Sequence, residues 1–189
     1  DNIKIVNEDV LKVDLHKLIG EEFAGMPVAV CANLPYYITS PIIMSLLEAR
    51  LPIVSLTVMV QKEAAQRLCA APGSREVGAV SIAVQYYSQP QVLFQVSRGS
   101  FMPSPDVDST VIRLDVRQQP PVQLKKEEDF FRVVKAAFSQ RRKTLPNTLS
   151  AGLAIPKQQA LDLLERAGVA SNLRAEQLSM QQFADIANA

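Results

Sequence analysis

Asn33-Leu34-Pro35-Tyr36 directly follows the apolar stretch Val28-Ala29-Val30-Cys31-Ala32, which sets an amide, a fixed turn and an aromatic ring at the end of a strand expected to be buried. Open α/β sheets bind ligands at strand ends. The three groups together suit gripping the exocyclic amine of a flat base and presenting it to an electrophile. Such an amine is a poor nucleophile, because its lone pair is delocalised into the ring. Acceptors aimed at its two N–H groups draw the nitrogen towards tetrahedral geometry and localise that pair. The Asn33 side-chain oxygen can be one acceptor. The Leu34 carbonyl can be the second, since Pro35 biases Leu34 towards extended backbone. Tyr36 offers a face for the base, and such stacking is worth roughly 1–3 kcal/mol. No strong base is needed, because the proton can leave after the new bond forms. The same four residues also make an ordinary strand-ending turn, and by themselves they do not decide between the two readings.

The elements that must position this turn are legible around it. Met26 to Ala32 reads as a strand. After the turn, Ser40-Pro41 reads as an N-cap with proline at the first helical position, and Ile42, Ile43, Leu46 and Leu47 carry helical spacing to Arg50. Ile3 to Val6 reads as another strand, and Ile53 to Gln61 as a third, β-branched and bounded by Pro52. Lys62 to Ala70 reads as a helix that Ala71-Pro72-Gly73-Ser74 breaks. Gly78 to Tyr87 fits strand or helix by composition. Gln91 to Val96 and Thr110 to Arg117 read as two strands with no helix between them, hence antiparallel to each other. The loop joining them carries Phe101, stiffened by Pro103 and Pro105. Gln118-Gln119-Pro120-Pro121 is the best linker. Beyond it the period becomes helical over Glu127 to Ser139, with Phe130, Phe131, Val134, Ala137 and Phe138 on one face, then over Pro156 to Ala167 and Ser179 to Ala187. Gly168 is placed to end the second of these helices.

The chain has 189 residues, 48% hydrophobic and 21% charged, which is enough to bury a core. No apolar run approaches the roughly 20 residues that span a bilayer. Cys31 and Cys69 lack metal-ligand spacing, and no metal site is expected. Cys31 is expected to be buried in its strand, and two free thiols fit a reducing cytoplasm. His16 fits a surface helix position. Net charge is only +1, but it is unevenly spread. Residues 1–115 carry 9 Lys/Arg against 12 Asp/Glu, a net of −3, and residues 116–189 carry 11 against 7, a net of +4. Arg141, Arg142 and Lys143 follow the Phe138 helix. They read either as a phosphate-contact patch or as a solvated helix end favoured by the helix dipole.

Four stretches together resemble the KsgA family, the adenine dimethyltransferases of small-subunit ribosomal RNA. They are Asn7-Glu8-Asp9-Val10, Asn33-Leu34-Pro35-Tyr36-Tyr37-Ile38-Thr39, Phe101 to Ser109, and Phe138-Ser139-Gln140-Arg141-Arg142-Lys143-Thr144-Leu145. The resemblance implies a Rossmann-like class I methyltransferase domain with a mixed sheet over residues 1–118, then a small all-helical, RNA- or ribosome-binding domain over residues 119–189. It favours a helix for Gly78 to Tyr87. S-adenosylmethionine is the implied cofactor, held by Asp9, Val10, Asn33 and Pro35. Unpaired adenines of 16S ribosomal RNA in an immature 30S subunit are the implied acceptors, each dimethylated on N6. Asn33 and Leu34 would polarise the amine, and Tyr36 and Phe101 would sandwich a base drawn out of its stack. Arg141, Arg142 and Lys143 would contact RNA. A cytoplasmic monomer with no membrane partner is expected.

The sequence also departs from that family. Its Gly-rich loop after the first strand and the acidic ribose-binding residue after the second have no counterpart among the seven glycines and the acidic residues here. The chain starts where the family's third strand should start, so it is expected to be N-terminally incomplete and inactive by itself. Two alternatives stay open. The chain is similar, less closely, to the Erm methyltransferases of large-subunit ribosomal RNA, and it could be a non-catalytic RNA-binding assembly factor.

Overall fold

A computed structural model describes residues 2–189. The elements are α1 (Leu15–Phe23), β1 (Val28–Asn33), α2 (Thr39–Glu48), β2 (Ile53–Gln61), α3 (Lys62–Leu68), α4 (Ala79–Tyr87), β3 (Ser88–Val96), β4 (Ser109–Val116), α5 (Glu127–Ala137), α6 (Leu145–Leu153), α7 (Lys157–Arg166) and α8 (Met180–Asn188). By compactness the chain divides into two units. One runs to Ala64 and includes Ser88–Val116; the other is Ala65–Tyr87 with Arg117–Ala189.

The first unit is built on a four-stranded mixed sheet in the order β1-β2-β4-β3. β1 and β2 are parallel, with α2 as the crossover that parallel neighbours require. β4 is antiparallel to both β2 and β3, and its pairing with β3 is the one that the absence of a helix between them predicts. The inward side chains are apolar: Leu56, Val58 and Val60 on β2, Ile112 and Leu114 on β4, and Ile42, Ile43, Leu46 and Leu47 on α2.

Three expectations for this unit are corrected. Ile3 to Val6 form no strand but run as exposed chain, because an extended segment is stable only beside a partner and none of the described strands pairs with it. Cys31 is exposed rather than buried. β1 is an edge strand, and its two-residue period puts Ala29, Cys31 and Asn33 on one open face while Val28, Val30 and Ala32 turn inward. Ser40 is not a helix cap. A 3-10 turn over Tyr36–Ile38 leads directly into α2, so Ser40 and Pro41 fall inside its first turn.

The second unit is helical. Tyr86 and Tyr87, at the end of α4, both donate to the Glu127 carboxylate at 2.9 Å, at the first residue of α5. Their rings lie 5.1 Å apart and pack with Phe130 and Phe131 at centroid separations of 5.2 to 5.5 Å. Gly168, at φ +66°, follows the end of α7, where its N–H donates to Glu165 and that of Val169 to Leu164. That left-handed closure is the one its position after Pro156 to Ala167 predicts. Helix α6 lies in a stretch whose local pattern names no element.

Candidate functional site

Asn33 is the last residue of β1 and pairs with Met59 near the end of β2. Leu34 anchors the exit: its side chain is buried and its N–H donates to the Met59 carbonyl at 3.2 Å. Pro35 keeps the backbone extended, with φ −60° and ψ 132°. Its carbonyl then accepts from the Ile38 N–H at 3.2 Å and the Thr39 hydroxyl at 3.0 Å, which closes the turn that carries Tyr36. The Asn33 carboxamide is exposed and has no protein hydrogen-bond partner among the described residues. No protein group among the described residues donates to the Leu34 carbonyl. Both acceptors are therefore free for a ligand.

Sheet topology brings the second wall to the same place. Ser109, which starts β4, pairs with Gln61 of β2 and Val96 of β3, so the loop from Ser97 to Asp108 hangs over the end where β1 stops. The loop is braced from within. The Asp108 carboxylate accepts from the Arg98 N–H at 2.9 Å, Arg98 Nη1 donates to the Asp106 carbonyl at 3.3 Å, and the Ser104 hydroxyl donates to the Arg98 carbonyl at 3.0 Å. The Asp108 carbonyl accepts from the Lys62 N–H at 3.0 Å, pinning the loop to the end of β2. Between the walls lies an open slot of about 370 Å³ lined by Asn33, Leu34, Pro35, Tyr36, Phe101, Pro103 and Pro105. Its size falls within the usual range for small-molecule sites.

The slot thus unites Asn33, Leu34, Pro35, Tyr36 and Phe101. Asp9 and Val10 are not in its lining and sit in the exposed segment before α1. There Asp9 organises a turn: Oδ1 accepts from the Leu11 N–H at 3.0 Å, and Lys12 Nζ lies 3.7 Å from Oδ2. Arg141, Arg142 and Lys143 belong to the helical unit and are exposed. Arg141 is partly committed, since Nη2 donates to the Arg75 carbonyl at 2.7 Å. His16 occupies the expected surface position, with Nε2 2.7 Å from the Ala49 carbonyl.

Two groups are not singled out by the sequence. Asp108 and Ser109 fall at the end of a longer family-like stretch, yet Asp108 braces the loop and Ser109 lies 2.9 Å, hydroxyl to hydroxyl, from Tyr36. The one local signal is a polar pair, Asp108 and Ser109, where the loop gives way to β4.

Comparison with known proteins agrees with this architecture. The family model described as ribosomal RNA adenine dimethylase matches residues 1–189. Proteins named ribosomal RNA small subunit methyltransferase A are similar along the whole chain. The one from Alkaliphilus oremlandii is 50% identical over 99% of this chain, and the one from Lachnoclostridium phytofermentans 48% identical over all of it. The chain spans 66% of the length of each of these relatives. Among solved structures, a dimethyladenosine transferase from Plasmodium falciparum superposes with a TM-score of 0.73 at 26% identity, over 85% of this chain and 66% of that one. The 23S rRNA methyltransferase ErmE shares the fold, with a TM-score of 0.63 at 22% identity over 94% of this chain and 78% of its own.

Proposed function

The chain belongs to the ribosomal RNA adenine dimethylase family, and from that membership and the slot's geometry we propose that it serves S-adenosylmethionine-dependent dimethylation of N6 on two adjacent adenines of small-subunit (16S) ribosomal RNA. The observation that carries the reading is a pair of unengaged acceptors, the Asn33 carboxamide and the Leu34 carbonyl, at the mouth of a slot walled by Tyr36 and Phe101. The relatives' name, small subunit methyltransferase, supports the choice of RNA.

Tyr36 and Phe101 hold the base by its faces, and the prolines of the loop keep the gap from collapsing. Asn33 Oδ1 and the Leu34 carbonyl accept from the two N–H groups of the amine, turning its lone pair out of conjugation. The residues present suit such a donor in part: Asn33 has an unengaged amide, and Asp9 is exposed, with Oδ1 accepting from the Leu11 N–H and Oδ2 facing Lys12 Nζ. Asp9, Val10, Asn33 and Pro35 would hold S-adenosylmethionine, which when bound supplies an electrophilic methyl carbon. Transfer would form the N–C bond as the donor's S–CH3 bond breaks and its neutral thioether leaves; the nitrogen, then cationic, would lose its proton to water through the open side of the slot. Arg142 and Lys143, with Arg141 through its remaining donors, would contact RNA phosphates in the helical domain of residues 119–189. This reading fits a monomer acting in the cytoplasm on immature 30S particles.

Asn33→Ala in the full-length protein should abolish methyl transfer to 16S RNA while the circular dichroism spectrum and melting profile stay unchanged. Retained turnover with an intact fold would exclude Asn33 from the chemistry. Primer extension across both ribosomal RNAs should place the product in the small subunit; a stop in 23S RNA instead would favour an Erm-type activity.

A further inference from the structure

We propose that Ser109 is a positioning residue: its hydroxyl holds the Tyr36 phenol and thereby sets the stacking face, and the width, of the base slot. The inference rests on the base-slot reading above and adds a residue to it.

Ser109 is fully buried, at 0% exposure, while Tyr36 is 37% exposed. Their hydroxyls lie 2.9 Å apart, 73 positions distant in sequence. The buried partner is the fixed one. Ser109 pairs through its backbone with strands on both sides, Gln61 and Val96. Tyr36 belongs only to a short 3-10 turn, so its ring direction is not set by a ladder. A buried hydroxyl is unfavourable unless it is bonded, and Tyr36 is the partner this one has. The bond reaches from the turn after β1, past the end of β2, to the first residue of β4. Ser109 also closes the loop that carries Phe101. One hydroxyl pair thus ties the wall bearing Tyr36 to the base of the wall bearing Phe101. The phenolic oxygen is directed at Ser109, so the ring offers the ligand its face rather than its polar end.

The test is a double-mutant cycle on binding of a single-stranded RNA oligonucleotide with one 2-aminopurine, whose fluorescence is quenched when it stacks between aromatic rings. Ser109→Ala and Tyr36→Phe each remove one oxygen. Each should weaken the quench-detected affinity about 2- to 10-fold, the range one hydrogen bond gives, and the double variant should be no weaker than either single variant. The salt dependence of RNA binding should not change, which separates a slot effect from general loosening of the protein. Tyr36→Ala should cost about 5-fold or more through lost stacking. Additive losses in the cycle, or no loss from Tyr36→Phe, would overturn the role of Ser109 even where Tyr36→Ala confirms the slot. If Ser109→Ala fails to fold, Tyr36→Phe decides alone. Absence of any quench with the unaltered protein, or a Tyr36→Ala variant that binds normally, would remove the base-slot reading and this inference with it.

Discussion

Asn33 is left alone by its neighbours, as its proposed role requires. The strand period turns it onto the open face of β1, and no side chain among the described residues occupies its carboxamide. Cys31 shares that face, two residues earlier. Cys69 is in the opposite situation, since burial pushes its thiol up to about 11. Desolvation favours the neutral thiol, so its thiolate stays scarce until the pH approaches that value. At pH 8, iodoacetamide should therefore alkylate Cys31 much faster than Cys69, with peptide mass spectrometry as the readout; equal rates, or Cys69 first, would contradict the placement of both. The chemistry at this scale was readable where residues are contiguous, as in Asn33 to Tyr36, because a proline and a strand end constrain neighbours directly. It was not readable where partners are remote. Nothing local to Ser109 points to Tyr36, and nothing in Arg141-Arg142-Lys143 tells that the first of the three reaches a backbone carbonyl at Arg75.

Helices α5 and α6 cross at a glycine. A Cβ on Gly152 would lie 2.5 Å from the Cα and Cβ of Ala136, which is buried in α5. Two effects oppose each other for Gly152→Ala. Alanine is the better helix former by about 1 kcal/mol. Forcing a backbone contact apart typically costs about 1–3 kcal/mol. The obstacle is main chain rather than the end of a flexible side chain, so the clash should win. Urea unfolding should show the variant less stable by up to about 2 kcal/mol, and a stabilised variant would mean that the crossing is looser than described. The same glycine explains why α6 is hidden in the sequence: Pro146 and Gly152 within nine residues read as loop punctuation, and only packing makes them helical. Elements with strong local patterns were legible, notably β2, the antiparallel β3 and β4, and α5. Ile3 to Val6 had the pattern and not the structure, because a strand depends on a neighbour that a local pattern does not supply.

At the scale of the whole molecule, the sheet gathers the ends of β1 and β2, the start of β4 and the β3–β4 loop at one edge, and the slot follows from that convergence. Four short stretches far apart in sequence revealed the family, and the mixed sheet matches it. On the proposed reading, the basic excess of residues 116–189 would supply attraction to RNA that is independent of base identity. Recognition of the base would then fall to the slot, and the amine is the feature it should read. The most direct measurement compares binding of two oligouridine strands, one with a single adenosine and one with purine riboside at that position, which lacks only the NH2. Phosphate contacts are identical in the two, so the difference isolates the two hydrogen bonds to Asn33 and Leu34. The adenosine strand should bind at least about 5-fold more tightly than the purine riboside strand; equal affinity for the two would exclude amine recognition by Asn33 and Leu34.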